Sequence, residues 1–178
     1  KIYRTQNAAI DLDKVLHVGG FDLERALAMD EKFLEPEYPF EWAGVYSLAA
    51  GTVDLVLQPG PEDEKMDVAL IALPAATREA LDNYLPAAEA AFAARLQAKP
   101  YHGEPIRAGS RLHRLPLTTT REMLFQIEIS EAGDYALFTE HHPSEFDLAL
   151  EGTDCCGEPV IEREFKPPHE HDDEVTSV

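Results

Sequence analysis

A chain of 178 residues, 44% of them hydrophobic, is long enough to bury a core and is most simply one globular domain with appendages. Its formal net charge of -19, from 34 acidic and 15 basic residues, argues against nucleic acid or an anionic membrane as a partner, because both would be repelled. No apolar run approaches bilayer length, and the first residues lack the apolar region of a signal peptide, so we expect a cytoplasmic protein.

The first 38 residues differ in pattern from the rest of the chain. Apolar residues recur at helical spacing in 10–16 and 21–29, on either side of a Gly-Gly break, and Pro36 and Pro39 then open an extended region. We therefore predict a helical N-terminal flank over residues 1–38.

From Trp42 onward the chain consists of short segments with a two-residue period. The predicted strands are 45–48, 53–58, 68–73, 111–115, 124–129, 134–139, 146–151 and 160–165. Many short strands separated by turn signals predict a mainly β protein, a β-sandwich of jelly-roll or cupredoxin-like character over residues 39–166. A helical insertion is predicted at 77–97, and Pro86 is expected to divide it into two pieces.

Two stretches of the chain share one pattern. Residues 43–48 followed by 53–58, and residues 132–137 followed by 146–151, both read Ala-Gly-x-Tyr-x-Leu and then x-Asp-Leu-x-Leu. We interpret them as two hairpins, one in each half of the sandwich. In the second copy the alternation predicts that Phe146, Leu148 and Leu150 face the core.

The connection in the second copy holds the densest set of metal-capable side chains, Glu140, His141 and His142. Zinc prefers imidazole, thiolate and carboxylate ligands, usually four at tetrahedral geometry. Because neighbours in an extended chain point to opposite faces, one histidine and a carboxylate from Glu140 or Glu145 can meet on one ion. The site must then be completed from elsewhere, and the alternative is a polar loop with solvated histidines.

The tail, 167–178, is extended by its prolines and too polar to fold alone. His169 and His171 are two residues apart, so in an extended chain both imidazoles can reach one ion, and Asp172 and Asp173 add oxygen donors. The alternative is a flexible linker that binds metal ions weakly and without discrimination.

The two cysteines, Cys155 and Cys156, are adjacent, and a disulfide between neighbours would be strained. We expect a reduced pair in a turn, with a thiolate ligand as the less favoured interpretation. Two other functions remain open. A His/Glu cluster among strands also fits a cupin-like metal-dependent enzyme, although the cupin spacing of histidines is missing, and an acidic surface also fits a protein-docking module without a specific metal.

The flanks resemble a known family. Residues 9–16 and 19–26, with Asp30 and 33–35, resemble the end of the GTPase domain in CobW-type metallochaperones, and 169–178 resembles the linker that enters their C-terminal domain. The middle, through 40–46 and 132–141, resembles small bacterial zinc-responsive metallochaperone proteins.

The resemblance implies a piece of a longer protein: a remnant of a GTPase domain at 1–38, an inserted metal-binding β-sandwich at 39–166 and a His- and acid-rich linker at 167–178. A P-loop needs Gly-Lys-Ser or Gly-Lys-Thr, and no Gly-Lys dipeptide occurs in this chain. We therefore expect no nucleotide-binding residues and no catalysis by this segment itself.

The sequence thus predicts a metallochaperone module that binds a transition metal ion, most simply zinc, although Co²⁺ and Ni²⁺ accept the same ligands. The module would hold or transfer the ion to a client metalloprotein, under the control of a parent GTPase domain in cis. The predicted metal ligands are Glu140, His141, His142, His169 and His171.

Overall fold

The structure is a computed structural model that describes residues 37–60, 63–152 and 156–166. The described elements belong to a compact unit that begins at Tyr38. The elements are β1 Trp42–Leu48, β2 Gly51–Leu57, β3 Lys65–Leu73, α1 Arg78–Ala93, β4 Lys99–Pro100, β5 Ile106–Arg107, β6 His113–Pro116, β7 Met123–Ile129, β8 Gly133–Thr139, β9 Ala149–Glu151, β10 Cys156–Gly157 and β11 Ile161–Glu164. Short 3-10 turns follow α1 at Arg95–Gln97 and β8 at Pro143–Glu145.

The strands form two sheets, ordered β11-β1-β8-β3-β6-β4 and β10-β9-β2-β7-β5. Pairing is antiparallel except for β4 with β6 and β5 with β7. One cluster of buried side chains draws on both sheets, including Leu70 and Leu137 from the first and Leu55 and Ile127 from the second. The predicted mainly β fold, a sandwich with a helical insertion, is confirmed. The predicted helical flank at 1–38 lies outside the described residues, apart from its last two.

The six-stranded sheet is also covered on its second face, by α1. Ala43 and Phe138 from the sheet pack with Leu81, Leu85 and Phe92 from the helix. Full burial of a Leu or Phe side chain contributes about 1.5–3 kcal/mol, so this second core adds substantially to stability. Burial on both faces also explains why β3 and β8 read as nearly continuous apolar runs.

The helix runs unbroken through Pro86, so the expected division into two pieces is wrong. Thr77 caps its start by accepting a hydrogen bond from the Ala80 amide at 3.1 Å. Proline removes one backbone hydrogen bond, but Pro86 is exposed, and water can satisfy the carbonyl that lost its partner. Burial of Leu81 and Leu85 on the opposite face holds the helix together across this position.

The repeated stretches are not hairpins. β1 and β2 lie in different sheets, and so do β8 and β9. Each arm pairs instead with its counterpart in the other copy, β1 with β8 and β2 with β9. The residues of the repeat meet directly, because Tyr46 lies opposite Tyr135 and Val56 lies opposite Ala149. Gly51, with a φ of 142°, allows the chain to cross between the sheets in a very short connection.

The predicted strand at 146–151 is shorter than expected. The 3-10 turn Pro143–Glu145 and a left-handed Asp147, with a φ of 43°, delay the strand to Ala149. Phe146 and Leu150 are nevertheless buried as predicted, whereas Leu148 is half-buried. The connection 140–148 is therefore an irregular loop that crosses from one sheet to the other.

Candidate metal centre

Three potential ligands converge where two sheet-crossing loops meet. Asp63, His141 and Glu145 each offer one ligand atom, and these atoms all lie within 4.8 Å of one another. Asp63 comes from the loop between β2 and β3, and the other two come from the 140–148 loop. All three residues are half-buried. A tetrahedral ion with bonds of about 2.1 Å separates its ligands by about 3.4 Å, so small side-chain rotations would close this group on an ion.

The His141 imidazole is the centre of this group. Its Nδ1 is buried, makes no hydrogen bond within the described residues and lies 4.0 Å from Oδ2 of Asp63. Its ring lies against Phe146, with 6.0 Å between ring centroids, and its backbone carbonyl accepts a 2.7 Å hydrogen bond from the Thr139 hydroxyl. A buried polar atom without a partner costs about 1–3 kcal/mol, and a bound cation would remove that cost.

Phe146, in the 140–148 loop, contacts the loop between β2 and β3. The Gln58 amide donates a 2.7 Å hydrogen bond to the Phe146 carbonyl. The Phe146 ring also lies so close to Gly60 that a Cβ at that position would clash with it. Glycine is therefore required at position 60 for the loop containing Asp63 to approach His141.

Glu140 was predicted as a ligand, but the structure does not bring it to His141. Its carboxylate binds Lys65 Nζ at 3.2 Å, the Asp67 amide at 3.1 Å and the Arg95 guanidinium. Asp67, which is fully buried, in turn binds Arg114 through two hydrogen bonds of 2.7 and 2.8 Å. Glu140 thus belongs to a network of ion pairs, and Glu145 is the one of the two carboxylates that lies near His141.

His142 faces a different set of neighbours from His141, as the alternation of side chains predicted. Its Nδ1 lies 2.8 Å from the Ser144 hydroxyl and accepts a 3.3 Å hydrogen bond from the Ser144 amide, which caps the 3-10 turn. Its Nε2 lies 3.5 Å from a carboxylate oxygen of Glu164. The structure therefore places one of the two adjacent histidines in the candidate centre.

Asp63 is the residue that the sequence did not reveal. It stands in an acidic stretch of a chain with 34 carboxylates, and nothing in its local pattern distinguishes it from a solvated turn residue. The other predicted ligands, His169 and His171, lie outside the described residues, as do Cys155 and the side chain of Cys156.

Comparisons with protein-family models, with curated proteins and with solved structures found no match. Among the described residues, no helix is long and apolar enough to cross a membrane. The fold and the candidate centre thus define a two-sheet β protein with an acidic, histidine-containing group of side chains at one end of the sandwich.

Proposed function

We propose that this chain binds a divalent transition metal ion, zinc in the first instance, through Asp63, His141 and Glu145. The observation that carries the proposal is the buried Nδ1 of His141, which has no hydrogen-bond partner in the described part of the chain and faces a carboxylate. One imidazole and two carboxylates suit Zn²⁺ and also accept Co²⁺ or Ni²⁺. Two carboxylates would also balance the charge of the ion.

The tail would supply the remaining ligands, His169 and His171. Trp42 in β1 lies opposite Thr139 of β8 on one side and Glu164 of β11 on the other, so β11 ends two strands away from the point where β8 leads into the 140–148 loop. Two strand spacings amount to about 10 Å. From Lys166, three extended residues reach about 10 Å and five reach about 17 Å, which is sufficient for both histidines to approach His141.

A site shared between a folded loop and a tail suits a carrier, because a ligand that can leave allows the ion to be exchanged. In this proposal the module holds or transfers the ion to a client metalloprotein. The resemblance of the flanks to CobW-type proteins supports control by a parent GTPase domain in cis.

The test is a zinc titration by calorimetry on chelator-stripped protein. We expect about one ion per chain with a dissociation constant below about 1 μM, and at least tenfold weaker binding, about 1.4 kcal/mol, in H141A, D63N or E145Q. H142N is the matched control, since it removes the adjacent imidazole, keeps a side-chain acceptor for the Ser144 amide and should retain binding.

The double variant H169A/H171A separates the tail from the loops. Weaker but still saturable binding would support a shared site. If H141A binds zinc as the unaltered protein does, while H169A/H171A abolishes binding, then the tail alone binds the ion and the centre at Asp63, His141 and Glu145 is refuted.

A further inference from the structure

A second feature of the sandwich is a cavity of about 430 Å³ at the edge where β1 and β11 face the short strands β9 and β10. It lies on the side of the 140–148 loop that carries His142, whereas the candidate metal centre is built around His141. Its volume is within the range of small-molecule sites. The cavity is therefore large enough to hold a small molecule, separately from the candidate metal centre.

Aromatic side chains of β1 line the cavity. Trp42 and Tyr46 lie on one face of β1, and Gly44 between them lies opposite Glu162 of β11. A Cβ at Gly44 would clash with the Trp42 ring, so the indole lies across the glycine. Leu148 adds apolar surface from the loop. An apolar group of a ligand would pack here.

The Tyr46 hydroxyl is the polar group of interest. The residue is only 5% exposed, and within the described residues the hydroxyl forms no hydrogen bond. Burial raises the pKa of Tyr46, and the charge of Glu162 raises that pKa further, so the phenol stays protonated. The hydroxyl is reached from the cavity, so a ligand bound there can take the place of water as its hydrogen-bond partner.

The charged residues that line the cavity indicate which class of ligand it would bind. Glu158 and Glu162 line the cavity, and no Lys or Arg of the described residues does. His142 and Ser144 also line it, and their mutual hydrogen bond of 2.8 Å holds that side of the cavity in place. Arg78 donates a 3.1 Å hydrogen bond to the backbone carbonyl of Glu162, but neither carboxylate forms an ion pair within the described residues. Aromatic surface, a hydroxyl and carboxylates without an ion pair are features that bind an ammonium group attached to an apolar body.

We propose that this cavity binds a small organic cation, an alkyl- or cycloalkylammonium, with its nitrogen between the Tyr46 hydroxyl and the Glu162 carboxylate and its apolar body against Trp42 and Leu148. This inference does not rest on metal binding, and it assigns a separate site to the opposite side of the same loop.

Trp42 is the only tryptophan of the chain, so its fluorescence reports on this cavity. The probe is cyclohexylamine, titrated in excess chelator to exclude metal ions, and cyclohexanol is the neutral control of similar shape. We expect a saturable change with the amine and at least tenfold weaker binding of the alcohol. E162Q should weaken amine binding about three- to fivefold, because an ion pair with an exposed carboxylate contributes up to about 1 kcal/mol, and Y46F should weaken it several-fold.

E79Q makes the same change of charge at an exposed helix position and should bind the amine as the unaltered protein does. E162 is exposed and Y46F keeps the ring, so both variants should fold, which circular dichroism would verify. Equal binding of amine and alcohol, no saturable response to either, or an unchanged affinity in E162Q would each overturn the proposal.

Discussion

Removal of the Arg114 side chain should destabilise the fold strongly, because Arg114 is the main partner of a buried carboxylate. Asp67 has no solvent exposure, and Arg114 binds both of its carboxylate oxygens, at 2.7 and 2.8 Å. Arg95 is a more distant second partner at 3.5 Å. In R114M the carboxylate would remain buried with this weaker partner alone.

Breaking a buried ion pair by removing one partner costs about 3–5 kcal/mol. Because the Arg114 side chain is one-third exposed, water can reach the gap, and we take the lower end, about 3 kcal/mol. In a domain of this size 1 kcal/mol changes the melting temperature by about 2–4 °C, so R114M should melt about 6–12 °C lower. Urea denaturation followed by circular dichroism would give the free energy of unfolding directly.

R107M is the matched control. Arg107 forms an ion pair with Glu128 in which both side chains are largely exposed, and such pairs contribute about 0–1 kcal/mol. The double variant D67L/R114M removes both partners of the buried pair and should recover much of the loss, because no charge is left buried. If R114M and R107M unfold at the same urea concentration, the argument that Asp67 is a buried charge in need of Arg114 is refuted.

Three further predictions concern the metal loops, the acid stability and the helix. At a hundredfold excess over its dissociation constant, zinc should stabilise the fold by about 2.7 kcal/mol and raise the melting temperature by about 5–10 °C, and at the same zinc concentration this shift should fall to about half or less in H141A. G60A should weaken zinc binding more than it lowers stability in chelator, since the clash with Phe146 pushes the Asp63 loop away. Equal melting shifts in both variants and the unaltered protein would contradict the assigned centre. Burial lowers the pKa of His113 from its ordinary 6.5, with Lys99 and Arg111 adding to the effect, so the unfolded chain binds the proton more readily and stability should fall as the pH drops below about 6.5. H113Q should lose less stability than the unaltered protein between about pH 8 and pH 5, and an identical loss would exclude His113 as the cause. Finally, P86A should stabilise the protein by up to about 3 kcal/mol in urea denaturation, because it restores a hydrogen bond inside α1, and a neutral or destabilising effect would show that the proline is favoured where it is.

The fold class could be predicted because, in most strands, the alternation of buried and exposed positions appears in the sequence as an alternation of apolar and polar residues. In β7, buried and less buried residues alternate along Met123–Ile129, and the period identifies both the strand and its inner face. The pairing of the strands produces no such pattern in the sequence. A two-residue period reports which side of a strand is buried but not which strand lies beside it, so the repeat was interpreted as hairpins when β1 in fact pairs with β8.

The candidate centre was predicted in part. Alternation predicts that only one of the two adjacent histidines can reach an ion but does not say which, and in the structure His141 lies near Asp63 whereas His142 lies near Glu164. Glu145 could not be preferred to Glu140, because the choice depends on the 3-10 turn after Pro143, which returns the chain toward His141. Asp63 could not be predicted because it comes from a separate loop, which packs against Phe146 at Gly60. No local pattern in the sequence indicates this contact between two loops.

The three consecutive residues after β8 have three different surroundings. Glu140 joins the ion pairs around Asp67, His141 faces the carboxylates of the candidate metal centre, and His142 lines the cavity beside Trp42. A strand that leaves its sheet no longer shares its environment with neighbouring strands, so each successive side chain meets different elements. Metal and amine binding should therefore respond to different single substitutions. H141A should weaken zinc binding and leave the Trp42 response to cyclohexylamine intact, whereas E162Q should weaken the Trp42 response and leave zinc binding intact. If either variant abolished both responses, the loop would act as one site, and the assignment of separate ligands to its two sides would be wrong.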